Sequence, residues 1–113
     1  MNKELRVKVK FYSEENGGRN QLPEDLLSVG TYRPHFVVGD PEQKKAIVNE
    51  NNVGQEVYLG VSFSSQEGAL KPEHEINAVV STIYPDVDYS ALVTGATFTI
   101  REGQKVVGNG KVL

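Results

Sequence analysis

Ala96-Thr97-Phe98-Thr99-Ile100-Arg101-Glu102-Gly103-Gln104-Lys105-Val106-Val107-Gly108-Asn109-Gly110-Lys111-Val112-Leu113 is the part of the chain that sets its architecture. Phe98 and Ile100 alternate with Thr97, Thr99 and Arg101, the period of two that sends side chains to opposite faces of a strand. Glu102 to Gln104 is a short polar turn with a central glycine, and Val106 to Leu113 is a second strand. Together they read as a β-hairpin. Gly108 and Gly110 inside the second strand mark a place where another backbone or a bulky ring comes close.

The same alternation recurs upstream. Leu5, Val7, Val9 and Phe11 share one face of a strand, and Arg6, Lys8, Lys10 and Tyr12 share the other. Glu14 to Gly18 is a turn. Leu22, Leu26 and Leu27 after Pro23 form one helical turn or fill the end of a barrel. Tyr32 to Val38 is a strand in which Pro34 demands an edge, a bulge or a strand start. Val57 to Phe63 and Ile76 to Tyr84 are further strands, joined through a turn at 64–68 and closed by Pro85. Residues 39–55 are polar apart from Ala46-Ile47-Val48. They form a long, mobile excursion, with a short hairpin or helix of its own, and loops of that length tend to be functional. Six short strands with turn signals between them and no long amphipathic helix give an all-β fold. The expectation is one domain over 1–113, a closed six-stranded antiparallel β-barrel, since closure removes exposed sheet edges.

Composition narrows the function. The chain carries 12 Lys and Arg against 15 Asp and Glu, a net charge of −3, which argues against a general polyanion binder or a DNA-binding protein. Arg6, Lys8 and Lys10 are nonetheless spaced about 7 Å apart along one strand face. The plain reading of that face is a solvated exterior. With no cysteine there are neither disulfides nor thiolate metal sites. No apolar run approaches the length of a signal peptide or a membrane span, so a soluble cytoplasmic protein is expected.

Enzymatic chemistry finds no foothold. Gly103 to Gly108 has the outer spacing of a phosphate-binding loop, but Asn109 and Gly110 stand where Lys and Ser or Thr belong. Nucleotide binding and GTP hydrolysis are not expected. His35 and His74 are the two histidines. They would need carboxylate help to hold zinc, and the alternating Glu73-His74-Glu75 does not point its side chains one way, so neither metal nor cofactor is expected. Asp86 and Asp88 follow Pro85 in a turn, where Asp bonds its own backbone. Arg33 and Arg101 are expected to pair with acids and pin loops.

Three stretches, in order and at matching spacing, resemble the C-terminal barrel domain of bacterial elongation factor Tu. They are Gly17-Gly18-Arg19, Tyr32-Arg33-Pro34-His35-Phe36, and Ile100-Arg101-Glu102-Gly103 followed by Val107-Gly108-Asn109-Gly110. The resemblance covers Leu5 to Leu113 and implies a six-stranded antiparallel barrel that, in that family, packs on a GTPase domain and touches the T stem of aminoacyl-tRNA. Carried across residue by residue, the family's His after Gly-Gly-Arg is Asn20 and its Gln within Tyr-Arg-Pro-Gln-Phe is His35. A Thr before a strand glycine becomes Leu59, while Glu102 and Gly103 are retained.

The resemblance therefore implies a non-enzymatic binding module related to translation elongation. It would contact tRNA-like RNA or a translation-associated protein through Asn20, Arg33, His35, Leu59, Glu102 and Gly103. The alternative is a protein-interaction module with no RNA role. It would use the 39–55 excursion and the face left uncovered by the missing GTPase domain.

Overall fold

The computed structural model describes residues 3–46 and 56–113. Among the described residues there are six strands: β1 Glu4–Phe11, β2 His35–Val38, β3 Leu59–Gln66, β4 Glu75–Thr82, β5 Thr97–Glu102 and β6 Lys105–Val112. They close into an antiparallel barrel in the order β1-β4-β3-β2-β5-β6, with β6 returning to β1. This is the expected all-β closed barrel.

Alternation explains which side chains fill it. Val7, Val9 and Phe11 of β1, Leu59, Val61 and Phe63 of β3, and Phe98 and Ile100 of β5 all point inward and are almost fully buried. Phe36 stacks on Phe98 with centroids 4.0 Å apart and meets Phe63 edge-on at 5.9 Å. The glycines of β6 make room for this cluster. A Cβ on Gly110 would lie 2.6 Å from the Lys8 carbonyl oxygen and 2.7 Å from the Phe98 ring. The register of the hairpin shifts between Ile100 and Arg101, leaving Val107 without a partner opposite it. Such a bulge turns an extra residue inward, and Val107 is accordingly a core residue.

Several boundaries differ from expectation for identifiable reasons. The stretch 64–66 belongs to β3 and not to a turn. A bulge between Phe63 and Ser65 carries the strand on, and Gln66 anchors it by accepting from Leu27 N and donating to the Glu24 and Gly68 carbonyls. Strand β2 begins only at His35, so Pro34 marks a strand start. Ahead of it the carbonyls of Tyr32 and Pro34 still accept from Phe63 N and Val61 N. Leu26 and Leu27 sit in turns that close one barrel end, with no α-helix.

Residues 40–46 do not stand away from the barrel. The Pro41 carbonyl accepts from Asn109 Nδ2 at 2.8 Å and from the Tyr12 hydroxyl at 3.3 Å, both on the outer wall. Lys44 Nζ lies 3.7 Å from the centre of the Tyr12 ring. The rest of the expected excursion, 47–55 with Ile47 and Val48, lies outside the described residues. Among the described residues no helix is long and apolar enough to cross a membrane.

Candidate recognition site at the rim of the barrel

Strands β1, β3 and β5 end, and β2, β4 and β6 begin, at the same end of the barrel. That geometry gathers residues from distant parts of the chain. Arg19, Asn20 and Gln21, from the loop after β1, meet Glu102 and Lys105 of the β5–β6 hairpin around a shallow polar groove of about 390 Å³. Gly103 turns the hairpin with φ +63°, a left-handed conformation that a Cβ would strain.

Glu102 is held from two sides. Its Oε2 accepts from the Tyr32 hydroxyl at 2.6 Å and lies 2.6 Å from Arg19 Nε. The Arg19 N–H is not aimed at that oxygen well enough for a hydrogen bond, so the attraction there is chiefly electrostatic. The guanidinium also lies over the Tyr32 ring, 5.2 Å from its centre. Burial, followed by the hydrogen bond to the Glu102 carboxylate and that carboxylate's charge, pushes the Tyr32 phenol well above its ordinary range, while Arg19 draws it slightly down. Tyr32 therefore stays protonated and donating, and it packs on Phe11 and Phe63 in the core. Glu102 is fixed in place yet about a third exposed.

The other sequence candidates are distributed unevenly. Asn20 and Arg33 are exposed at this rim, and among the described residues no carboxylate lies within salt-bridge distance of Arg33. His35 lies on the outer wall beside the rim, paired across β5 with Arg101, its ring edge-on to Tyr58 at 5.8 Å. Leu59 lies away from this rim: it is 2% exposed, packs in the core with Val61 and Phe63, and lines a groove at the opposite end of the barrel.

Arg101 does pair with an acid, in an unexpected setting. Its NH1 and NH2 reach the two Glu56 carboxylate oxygens at 2.7 and 2.8 Å, NH1 also reaches the Tyr58 hydroxyl at 3.1 Å, and Nε donates to Thr99 Oγ1 at 2.8 Å. Burial works against the charge of Arg101, but the Glu56 carboxylate outweighs it, and the guanidinium is held more tightly protonated than usual. Gln43 Nε2 donates to Glu56 Oε2 at 2.7 Å, so this cluster fastens the chain on either side of 47–55 to the outer wall.

Elsewhere, carboxylates serve the backbone. Glu73 Oε2 accepts from Ser13 N and Asn16 Nδ2, which holds its carboxyl below the usual range, and Asp88 Oδ1 caps Ser90 N. Among the described residues no group of three or more His, Asp or Glu is placed to hold a metal ion. Arg19, Lys105 and Tyr32 complete the rim and were not singled out by sequence as binding residues. The pairing of Arg19 with an acid far along the chain has no local signature. The chain matches no protein-family model, and no curated protein resembles it significantly.

Proposed function

We propose that this chain is a non-enzymatic binding module, related in its barrel to the C-terminal domain of elongation factor Tu, that contacts tRNA-like RNA through the rim. The observation that carries the reading is the convergence of Asn20, Arg33, Glu102 and Gly103 on one barrel end, with Arg19 and Lys105 beside them. Asn20 and the arginines supply donors suited to phosphate and ribose oxygens. Glu102 supplies an acceptor suited to a 2′-hydroxyl, and Tyr32 and Arg19 hold it in place before any ligand arrives. Function on this reading is cytoplasmic and lies in translation.

The test is a salt-titrated gel shift with bulk tRNA. Binding at low salt that weakens steeply as salt rises supports the reading, and the double variant Asn20→Ala with Arg33→Gln should reduce affinity about tenfold or more. No shift at low salt overturns it.

A second reading, docking on a translation-associated protein, is favoured by the opposite end of the barrel. There a groove of about 620 Å³ is lined by Val37, Val38, Val57 and Ala91, and Val57 is 72% exposed. A partner captured by the intact chain and lost with Val57→Asp would support it, and a partner retained by that variant would count against it.

A further inference from the structure

The cations of this chain are segregated. Three neighbouring grooves run along one side of the barrel. The first, about 370 Å³, lies over β1 and β6 and is walled by Lys8, Lys10, Lys111 and Asn109. The second, about 680 Å³, holds Lys44, Lys45 and Lys105. The third is the rim groove, which shares Lys105 with the second. The first two are joined where Lys44 covers Tyr12, whose hydroxyl accepts from Asn109. Together the three grooves take seven of the twelve Lys and Arg but only four of the fifteen Asp and Glu, in a chain whose net charge is −3.

Among the described residues none of the six lysines of these grooves has a carboxylate within salt-bridge distance, and Lys44 rests on the Tyr12 ring. Among the described residues only Arg19 and Arg101 lie within salt-bridge distance of a carboxylate. Lys8 and Lys111 are paired directly across β1 and β6, on the outer face. Like charges directly opposite one another in a sheet are destabilising, and the two acids of this groove, Glu42 and Glu75, lie within salt-bridge distance of neither lysine, Glu75 standing opposite Lys10 instead. A ligand carrying regularly spaced negative charge would offset them. Large exposed apolar side chains, the anchors of a protein interface, are missing from these grooves apart from Leu113. Amide donors are present instead, with Gln104, Asn20 and Gln21 in the second and third grooves.

We infer that a single RNA strand follows this line, its phosphates on Lys8, Lys111, Lys10, Lys44 and Lys45, and reaches the rim at Lys105. The inference extends the rim reading by giving the strand its path, and rests on it for the choice of RNA. Lys8 to Lys10 repeats about every 7 Å along the strand, so consecutive charges of an extended polymer meet consecutive lysines.

The experiment is fluorescence anisotropy of the full chain with a labelled oligouridylate of about 20 nucleotides, titrated between 50 and 200 mM salt. The variants are the double substitution Lys8→Gln with Lys111→Gln, the rim substitution Asn20→Ala, and the off-line control Lys71→Gln. Each phosphate contact on a single strand contributes about 0.7 to the slope of log K against log salt. The lysine double variant should flatten the slope by about 1.4 and weaken binding roughly tenfold at low salt, while melting no lower than the parent because a like-charge pair is gone. Lys71→Gln should change nothing.

If the double variant binds with the parent's slope and affinity, the path is wrong and the rim reading stands. If it weakens while Asn20→Ala does not, the path stands and the rim reading falls. An acidic polyglutamate binding more tightly than the oligonucleotide overturns the choice of RNA. No binding of RNA at 50 mM salt overturns both.

Discussion

Arg101–Glu56 and Arg19–Glu102 are both arginine–glutamate pairs on one barrel, yet they occupy opposite environments. Arg101 is fully enclosed and its partner is 7% exposed, whereas the rim pair is 27% and 32% exposed. The buried pair is bidentate, and Thr99 and Tyr58 take further guanidinium protons. It spends its hydrogen bonds internally and fastens the chain that crosses the outer wall. The rim pair is joined by one carboxylate oxygen that also accepts from Tyr32, Arg19 donates besides to the Gln21 carbonyl at 2.9 Å, and both side chains remain partly exposed. The same two residue types thus act as a fastener where water is excluded and as a prearranged contact where it is not.

The largest expected effect breaks the fastener. Arg101→Met leaves the Glu56 carboxylate without its bidentate partner in a water-poor site, and urea unfolding should show a loss of about 3–5 kcal/mol. A loss below about 1 kcal/mol would mean that the pair is effectively a surface interaction. Next, Gly110→Ala forces a methyl against the Lys8 carbonyl and the Phe98 ring. The expected cost is about 1–3 kcal/mol from overpacking, read as a lowered Tm. Tyr32→Phe removes a hydrogen bond to a charged acceptor and should cost about 1–2 kcal/mol.

That substitution also tests a sign. The folded state holds the Tyr32 phenol above its unfolded value, so its contribution is complete below the ordinary tyrosine range and is lost as pH rises through and beyond it. The parent should therefore lose more stability at strongly alkaline pH than Tyr32→Phe does, as alkaline urea titrations would reveal. Smallest is Arg19→Gln, with a stability change within about 1 kcal/mol. If the rim is for recognition, that variant should nevertheless weaken tRNA binding and reduce its salt dependence.

The contrast between the two pairs also marks what could be read before any coordinates. The β5–β6 hairpin and the inward set of β1 were legible because alternation is a local property of the chain. The closeness signalled by Gly110 was legible for the same reason, although its neighbours, Lys8 and Phe98, were not. The burial of Thr99, Arg101 and Asn109 was hidden. All three face outward from the barrel, where Pro41 bonds Asn109 and Glu56 and Tyr58 bond Arg101, contacts made by chain that crosses from elsewhere. Leu59 teaches the converse. Its alternation with Val61 and Phe63 already assigns it to the core, whereas its place beside the groove at the far barrel end depends on residues distant in the chain. The polar run Ser64-Ser65-Gln66 resembled a turn because the outward face of a strand and a turn share composition. What extends the strand is the side chain of Gln66 bonding across to Glu24 and Leu27. Asn20, Glu102 and Gly103 could be proposed together, but the groove they share with Arg19 and Lys105 exists only once the barrel closes.

Backbone amide chemical shifts followed by NMR during titration with tRNA would test the division between rim and fastener most directly. The account predicts that perturbations concentrate at residues 19–21, 33 and 102–105, with residues 56–58 and 99–101 little changed. Perturbations centred on the opposite end around Val57 and Ala91, or none at low salt, would contradict it.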